Sequence, residues 1–175
     1  ALAMNFNTAS PLATQYATMS AGNMVKDMIQ SQVQSVRSVI GRSFNDGLTR
    51  QQTSRNLVQV LNDIPTPKGI RPGNYALGVV FGDATKGLTV RYANAVYNRA
   101  DKLIRQNPKM SAAELKRRSD SYGSKLRRSR ARTISRTELM RASNQGRLQG
   151  MWQAADQGLV NPVAAKKQWV TSNFD

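Results

Sequence analysis

A cluster of basic side chains is the part of the sequence whose residue types point most directly to chemistry. Residues 117–132 contain seven basic residues and one acidic residue, Asp120. In a helix, which turns by about 100° per residue, Arg118, Lys125 and Arg132 lie close to one stripe, while the other arginines point in several directions. This density of positive charge favours salt-dependent contact with phosphates or with an acidic surface. The residues that we predict to contact a polyanion are Arg117, Arg118, Lys125, Arg127, Arg128, Arg130 and Arg132.

The whole chain has the same bias towards positive charge. Its 175 residues include 26 lysines and arginines against 10 acidic residues, which gives a formal net charge of +16. Such a charge indicates a negatively charged partner, which can be nucleic acid, an acidic protein surface or a lipid headgroup layer. A solvated basic surface without a fixed partner is the alternative interpretation of the same composition.

Catalytic chemistry has few options in this sequence. It contains no cysteine and no histidine. Disulfides, thiolate metal sites, Ser–His nucleophile pairs and most transition-metal sites are therefore excluded within these residues. We expect no enzymatic activity, no cofactor and no metal in this segment. Because no run of 18 apolar residues is present, we also expect no stable membrane span.

A second group of polar residues follows on the same predicted helix. Thr133, Thr137 and Asn144 recur at helical spacing on a stripe where leucine or isoleucine would pack best. A buried asparagine in such a stripe fixes the register or the number of paired helices. Glu138 can pair with Arg141 one turn later or with an arginine of another helix. We predict that Thr137, Glu138 and Asn144 take part in helix pairing.

One long helix has to position both groups. Ser111 and Glu114 form a predicted capping box, and the helical pattern then continues without proline from Ala112 to about Gln157. At 1.5 Å per residue, such a helix is about 65–70 Å long. Residues spaced by three, four and seven form a predicted coiled-coil-like seam along it. The seam comprises Leu115, Tyr122, Leu126, Thr133, Thr137, Met140, Asn144, Leu148, Met151 and Ala155.

The rest of the chain is predicted to consist of shorter units. Residues 1–22 lack a periodic pattern and are predicted to form a flexible N-terminal arm. Residues 23–64 are predicted to form a helical hairpin region, and residues 65–86 a turn-rich linker that contains several prolines and glycines. Residues 87–158 are predicted to form a helical domain that contains the long helix, and residues 159–175 are expected to begin a truncated C-terminal unit.

Local start and stop signals place the ends of the helices. Thr49 opens a predicted capping box, and Thr89 is the predicted N-cap of a later helix. Gly47 and Gly158 are predicted C-terminal stops, because glycine adopts the left-handed conformation without steric cost. The predicted fold is all-α and elongated, with one long C-terminal helix (about 112–157). A short β segment at the C-terminal end is left open.

A longer motif overlaps these polar and basic residues. It comprises Arg130, Ala131, Thr133, Ile134, Arg136, Thr137, Glu138, Asn144 and Gly146. Ser135 stands within it, and the segment "KKQWVT" follows at 166–171, with Lys167 and Trp169. In this order, the segments resemble the head morphogenesis, or Mu F-like minor head protein, family of tailed bacteriophages. Alanine is usual in that family at the position of Ser135.

The resemblance covers about half of the chain, residues 87–175, and implies a minor capsid protein of a phage virion. Members of the family act in head morphogenesis, DNA packaging or DNA ejection, in association with the portal and the packaged genome. For this chain, the resemblance implies several copies per virion and contacts with the portal protein and other virion proteins. It also implies non-specific contact with double-stranded DNA, and a location in the phage head after assembly in the host cytoplasm.

Two other functions fit the same residues. One is a nucleic-acid-binding helical protein that acts outside a virion, of the chromatin-like kind, and binds DNA tightly by itself. The other is the delivery part of a toxin or enzyme whose catalytic domain lies beyond residue 175. All three functions accommodate the basic residues, so charge alone leaves them open.

Overall fold

The computed structural model describes residues 11–20, 30–70 and 81–161 of the chain. These residues form six α-helices and no β-strand. The predicted all-α fold with one long C-terminal helix is therefore confirmed for this part of the chain. The β segment that was left open lies outside the described residues, as do Lys167 and Trp169. In chain order, the helices are α1 (Pro11–Ser20), α2 (Gln30–Asn45), α3 (Arg50–Asp63), α4 (Gly82–Thr85), α5 (Val90–Gln106) and α6 (Ala112–Asp156).

The helix α6 contains 45 residues, which gives a length of about 68 Å at 1.5 Å per residue. It begins as predicted after the N-cap Ser111, whose hydroxyl accepts a hydrogen bond from the backbone N–H of Glu114 (3.2 Å). Past its last residue, Gly158 adopts the left-handed conformation with a φ of +71°. The N–H of Leu159 then donates back to the carbonyl of Ala154 (2.9 Å), which satisfies one of the last carbonyls of the helix.

Two earlier helices also begin at the predicted caps. The backbone N–H of Thr49 donates to Oε1 of Gln52 (2.8 Å), and the N–H of Gln52 donates to Oγ1 of Thr49 (3.3 Å), so the capping box is complete. Oγ1 of Thr89 accepts from the N–H of Tyr92 (3.3 Å). Gly47, two residues after the end of α2, has a φ of +61° and is a stop as predicted. Capping satisfies backbone groups that have no partner inside the helix. Because the capping residues lie within one turn of the helix end, these ends can be predicted from the local sequence.

The other helices pack along α6 in two groups. Towards its N-terminal end, α6 packs with α4 and α5, and their apolar residues form a first core cluster that includes Phe81 and Leu115. Further along, α1, α2 and α3 pack with α6 and form a second cluster that includes Ile40, Leu57 and Ile134. Full burial of a large apolar side chain contributes about 1.5–3 kcal/mol. Both clusters include residues of α6, and α6 contacts all the other helices, so both clusters depend on it.

The buried face of α6 differs from the predicted seam. The buried residues of α6 recur at intervals of four, and most of them are small. We call this set of buried residues the four-residue ridge. Met140 and Leu148 of the seam are 54% and 46% exposed, and Thr133, Thr137 and Asn144 are exposed as well. The other helices of the chain do not pack on the seam at these positions, because small residues spaced by four let the crossing helices approach closely on another face. The buried residues of α6 are Leu115, Ser119, Gly123, Arg127, Arg130, Ala131, Ile134, Ser135, Glu138, Ala142, Gly146 and Ala154.

The predicted flexible arm contains the helix α1. This helix packs on α2 and α6 and buries Ala13 and Ala17. A Cβ added to Gly146 of α6 would lie 2.7 Å from the Cβ of Ala13, so the missing side chain allows α1 to approach. The prediction of a loose segment was wrong for residues 11–20. Its basis was the lack of apolar periodicity, and a helix that packs through alanines shows little of it.

Candidate polyanion-binding grooves

A basic groove lies between α3 and α6. It has a volume of about 800 Å³ and is lined by five arginines, three uncharged polar residues and one apolar residue, Val58. No residue of the lining is acidic. We call this site the α3–α6 groove. Its lining residues are Arg50, Gln51, Ser54, Arg55, Val58, Gln59, Arg128, Arg132 and Arg136.

The α6 wall of this groove is a row of arginines four residues apart. Arg128, Arg132 and Arg136 follow one another at intervals of about 6 Å along the helix axis. All three are exposed, and each comes directly after a buried residue of the four-residue ridge. The packing of that ridge against the other helices therefore determines the direction of the row, which is rotated from the ridge by about 100°.

The α3 wall is fixed to α6 near the first turn of α3. The hydroxyl of Ser135 on α6 is buried and donates a hydrogen bond to the backbone carbonyl of Arg50 (3.1 Å). Further along α3, Leu57 and Leu61 are fully buried in the second core cluster. With α3 held at both places, the side chains of Arg50 and Arg55 line the groove together with the arginine row of α6.

The arginines of the α3–α6 groove have no acidic partner in the described part of the chain. The ion pairs within 4.0 Å in that part use other cations, namely Lys86, Lys116, Arg117, Arg118 and Arg141. Like charges repel one another, and here no neighbouring carboxylate offsets the repulsion. A bound anion would therefore lower the electrostatic free energy of this groove.

A second, smaller groove lies between α5 and α6 and has a volume of about 270 Å³. The guanidinium carbon of Arg99 on α5 lies 4.8 Å from the centre of the Tyr122 ring, which is a cation–π contact. We call this site the α5–α6 groove. It contains three of the residues that we predicted to contact a polyanion. Its lining residues are Arg99, Leu103, Arg117, Arg118, Ser121, Tyr122 and Lys125.

Glu114 offsets part of the charge of the α5–α6 groove. Its carboxylate accepts hydrogen bonds from Nε of Arg117 (2.8 Å) and from Nε of Arg118 (2.6 Å). These hydrogen bonds, first from Arg117 and then from Arg118, lower the pKa of Glu114 to about 2. The hydrogen bond from Arg117 in turn raises the pKa of that guanidinium. The carboxylate that we predicted to complete the Ser111 capping box is thus engaged with the two arginines.

Arg127 and Arg130 have a different environment from the rest of the basic cluster, since they are only 9% and 5% exposed. Nη1 of Arg127 donates to the carbonyls of Asp83 (2.7 Å) and Lys86 (3.0 Å). Nη1 of Arg130 donates to the carbonyl of Gly87 (2.8 Å). Burial lowers the pKa of Arg127, but arginine stays charged at neutral pH. We correct the prediction for these two residues: their guanidinium groups bind backbone carbonyls inside the protein and do not face a polyanion.

The two buried arginines fix the segment between α3 and α5 to α6. Carbonyls at the end of a short helix such as α4 lack partners within the helix, and Arg127 supplies a donor. A Cβ on Gly123 would overlap the carbonyl oxygen of Ala84, and a Cβ on Gly87, which has a φ of +64°, would overlap that of Leu61. Backbone therefore packs directly on backbone at this point. The walls of both grooves depend on this contact, because it joins α3, α4 and α6.

The residues of the predicted helix-pairing motif are divided between the interior and the surface. Glu138 is 2% exposed, and its Oε1 lies 4.0 Å from Nη1 of Arg141, which is one of the two ion pairs predicted for it; this contact is not a hydrogen bond. Gly146 is buried beneath α1. Thr137 and Asn144 are exposed, so their predicted pairing would require a helix of another molecule.

No protein-family model, no curated protein and no solved structure matches this chain. In the part of the chain that the structure describes, no three metal-binding side chains are grouped as a metal site. No helix of that part combines the length and apolar character that a membrane crossing needs. The two grooves and the motif residues are therefore the features of this chain that bear on its function.

Three arginines of the α3–α6 groove were not predicted to contact a polyanion. For Arg136, a signal is present in the sequence, since it continues the four-residue spacing of Arg128 and Arg132. For Arg50 and Arg55, the local sequence carries no such signal. They reach the groove only because α3 packs across α6, and that packing depends on small residues far away in the chain.

Proposed function

We propose that the protein is a minor structural protein of a tailed-phage virion, with a role in head morphogenesis, DNA packaging or DNA ejection. In this proposal, several copies lie at the portal and contact the packaged DNA. The observation that carries the polyanion contact is the α3–α6 groove, in which two helices place five arginines without an acidic residue. The motif residues that resemble the head morphogenesis family supply the virion context.

The groove favours a binding role over mere solubility. A surface that serves solubility mixes its positive and negative charges, because a field of one sign destabilises the compact state. Here the cations converge on one cavity of about 800 Å³. Arginine donates paired hydrogen bonds that match the oxygen atoms of a phosphate. A phosphate-bearing partner therefore suits this lining better than bulk water does.

A structural role is proposed rather than a catalytic one. The side chains of the α3–α6 groove are arginine, glutamine, serine and valine, and none of these acts by itself as a general base near neutral pH. Glu138 is the acidic residue of the motif, but it is buried and paired with Arg141. These environments suit binding and helix packing.

A DNA-binding protein that acts outside a virion is the second candidate, and the net charge of +16 favours it to the same degree. The two candidates differ in the location of the protein. A virion protein is present in purified particles and contacts the portal, whereas a free DNA-binding protein is found with cellular DNA and is absent from particles.

Mass spectrometry of purified particles, with chemical cross-links mapped to the portal, tests the virion role. We expect peptides of this chain in the particles and cross-links between its lysines and the portal protein. Absence from mature particles and from isolated portal complexes would contradict the proposal. Charge reversal of Arg128, Arg132 and Arg136 is expected to reduce the DNA content of particles. Unchanged packaging by that variant would mean that the groove is only a hydrated surface.

A further inference from the structure

We infer that the two basic grooves form one continuous track that holds the backbone of double-stranded DNA along α6. The inference rests on the proposed function, because it assumes that the α3–α6 groove binds nucleic acid. It adds that the α5–α6 groove binds the same molecule, and that the axis of the bound duplex lies parallel to α6.

Both grooves open on the same side of α6. At about 100° per residue, the basic residues of α6 that line them fall within a sector of about 100°. The helices α5 and α3 are thus successive walls on one side of a single long helix, and not walls on opposite faces. The basic residues in this sector are Arg117, Arg118, Lys125, Arg128, Arg132 and Arg136.

The two grooves meet at Lys125 and Arg128. Lys125 lines the α5–α6 groove, and Arg128 lines the α3–α6 groove. Residues three apart are neighbours on a helix surface, with about 5–6 Å between their Cβ atoms, and both of these residues are exposed. The buried Arg127 and Arg130 point to the other side of the helix, where they hold the α4 segment. Positive charge therefore continues from one groove into the other.

The length of the track fits a run of backbone phosphates. From Arg117 to Arg136, α6 rises by about 28 Å. Over about 28 Å of its axis, a B-DNA duplex that lies parallel to α6 has about 16 phosphates on its two strands. Because the strands wind round the axis once in about 10 base pairs, only the phosphates on the side that faces α6 can contact the track. The linings of the two grooves contain nine cationic side chains, of which Glu114 offsets a part. The cationic side chains are therefore numerous enough to contact several phosphates on the facing side of the duplex.

The chemistry of the linings favours duplex DNA over other polyanions. Proteins that bind single strands stack the bases on aromatic side chains. Tyr122 is the one aromatic residue of the two linings, and Arg99 already lies over its ring. An acidic protein would need apolar surface at the centre of its interface, and the linings offer mainly Val58 and Leu103. A duplex needs neither, since it presents its phosphates on the outside and keeps its bases stacked.

Binding of the purified chain to a duplex of about 16 base pairs, which is about 54 Å long and exceeds the track of about 28 Å, tests the inference. One variant, R128Q/R132Q/R136Q, neutralises the α3–α6 groove, and another, R99Q/K125Q, neutralises the α5–α6 groove. The control variant R105Q/K109Q/R147Q removes three exposed charges outside both grooves. Circular dichroism checks that each variant is folded.

We expect both groove variants to weaken binding by roughly 10- to 100-fold, and the control to weaken it much less. The slope of log K against log salt should fall by about 0.9 for each phosphate contact removed. If only R128Q/R132Q/R136Q weakens binding beyond the control, the track is refuted while DNA contact by the α3–α6 groove stands. If neither groove variant differs from the control, the DNA contact of the proposed function fails as well. Tighter binding to a single strand or to poly-glutamate than to the duplex would also overturn the inference.

Discussion

Arg127 and Arg128 are adjacent in sequence, yet they lie in opposite environments. Arg127 is 9% exposed and donates to the carbonyls of Asp83 and Lys86. Arg128 is exposed and lines the α3–α6 groove without an ion pair among the described residues. Arg130 and Arg132 repeat the contrast one turn later, with the first buried and the second in the groove.

The different environments of Arg127 and Arg128 show that a run of basic residues is not one functional unit. The buried pair stabilises the fold by donating hydrogen bonds to backbone carbonyls of the α4 segment. The exposed row leaves its donors available to a ligand. What separates the two sets is their phase relative to the four-residue ridge of α6, since a shift of one residue turns a side chain by about 100°. The first set should therefore affect stability, and the second should affect binding.

Substitution of Gly123 by valine should break the contact on which the buried pair depends, and we expect the largest effect here. The new side chain would overlap the backbone carbonyl of Ala84, which cannot move without shifting α4. We expect the free energy of unfolding to fall by roughly 3 kcal/mol, measured by urea denaturation. The matched control is Ser129→Val, which adds valine at an exposed position of the same helix and should cost less than about 1 kcal/mol. Equal losses for the two variants would show that α4 does not pack on Gly123.

Two variants, Arg127→Met and Arg128→Met, test whether the two neighbouring arginines have different roles. Methionine retains much of the apolar stem but removes the donors, so the first variant leaves the carbonyls of Asp83 and Lys86 without their partner. We expect Arg127→Met to lower the free energy of unfolding by about 2 kcal/mol. Arg128→Met should stay within about 0.5 kcal/mol of the wild type. If both variants unfold at the same urea concentration, the distinction between the two arginines does not hold.

The exposed row should show the reverse behaviour. The variant R128Q/R132Q/R136Q is expected to keep the thermal unfolding midpoint of the wild type within a few degrees, because its side chains are exposed and form no ion pair among the described residues. The same variant should lose DNA affinity as described above. A large drop in the unfolding midpoint would mean that the row has a structural role similar to that of the buried pair.

Substitution of Glu114, whose carboxylate pairs with Arg117 and Arg118 of the α5–α6 groove, should give the smallest effect. Its pKa is about 2 in the folded protein against an ordinary value of 4.5, so its contribution to stability is complete above pH 4.5 and is lost as the pH falls towards 2. We expect wild type to lose stability relative to Glu114→Gln between these pH values, as measured by thermal unfolding. At neutral pH, the variant also frees Arg117 and Arg118 and should bind duplex DNA slightly more tightly. A pH profile parallel to that of the wild type would contradict the assignment of this ion pair.

Much of the helical framework could be predicted from sequence, because its signals are local. The caps at Thr49, Thr89 and Ser111 and the stop at Gly158 depend on residues within one or two turns. The buried face of α6 could not be predicted in the same way. It depends on small residues such as Gly123 and on which distant helix crosses them, and small residues carry almost no periodic signal.

The positive charge of the candidate site could be predicted from the sequence, but the arrangement of its side chains could not. The excess of arginine in residues 117–132 is visible in the sequence. The sequence does not show that Arg127 and Arg130 turn inward, since this requires the carbonyls of the α4 segment, about 40 residues away in the chain. It also does not show that α3 adds Arg50 and Arg55 to the α3–α6 groove. Both facts come from tertiary packing.

Because both grooves have a wall on the continuous helix α6, the angle between them depends on the number of residues that separate those walls. One residue inserted between Lys125 and Arg128 would rotate everything after it by about 100°, and the two grooves would open in different directions. Seven inserted residues would restore the alignment to within about 20°. In a continuous helix such as α6, each inserted residue changes both the distance and the angle between the two grooves.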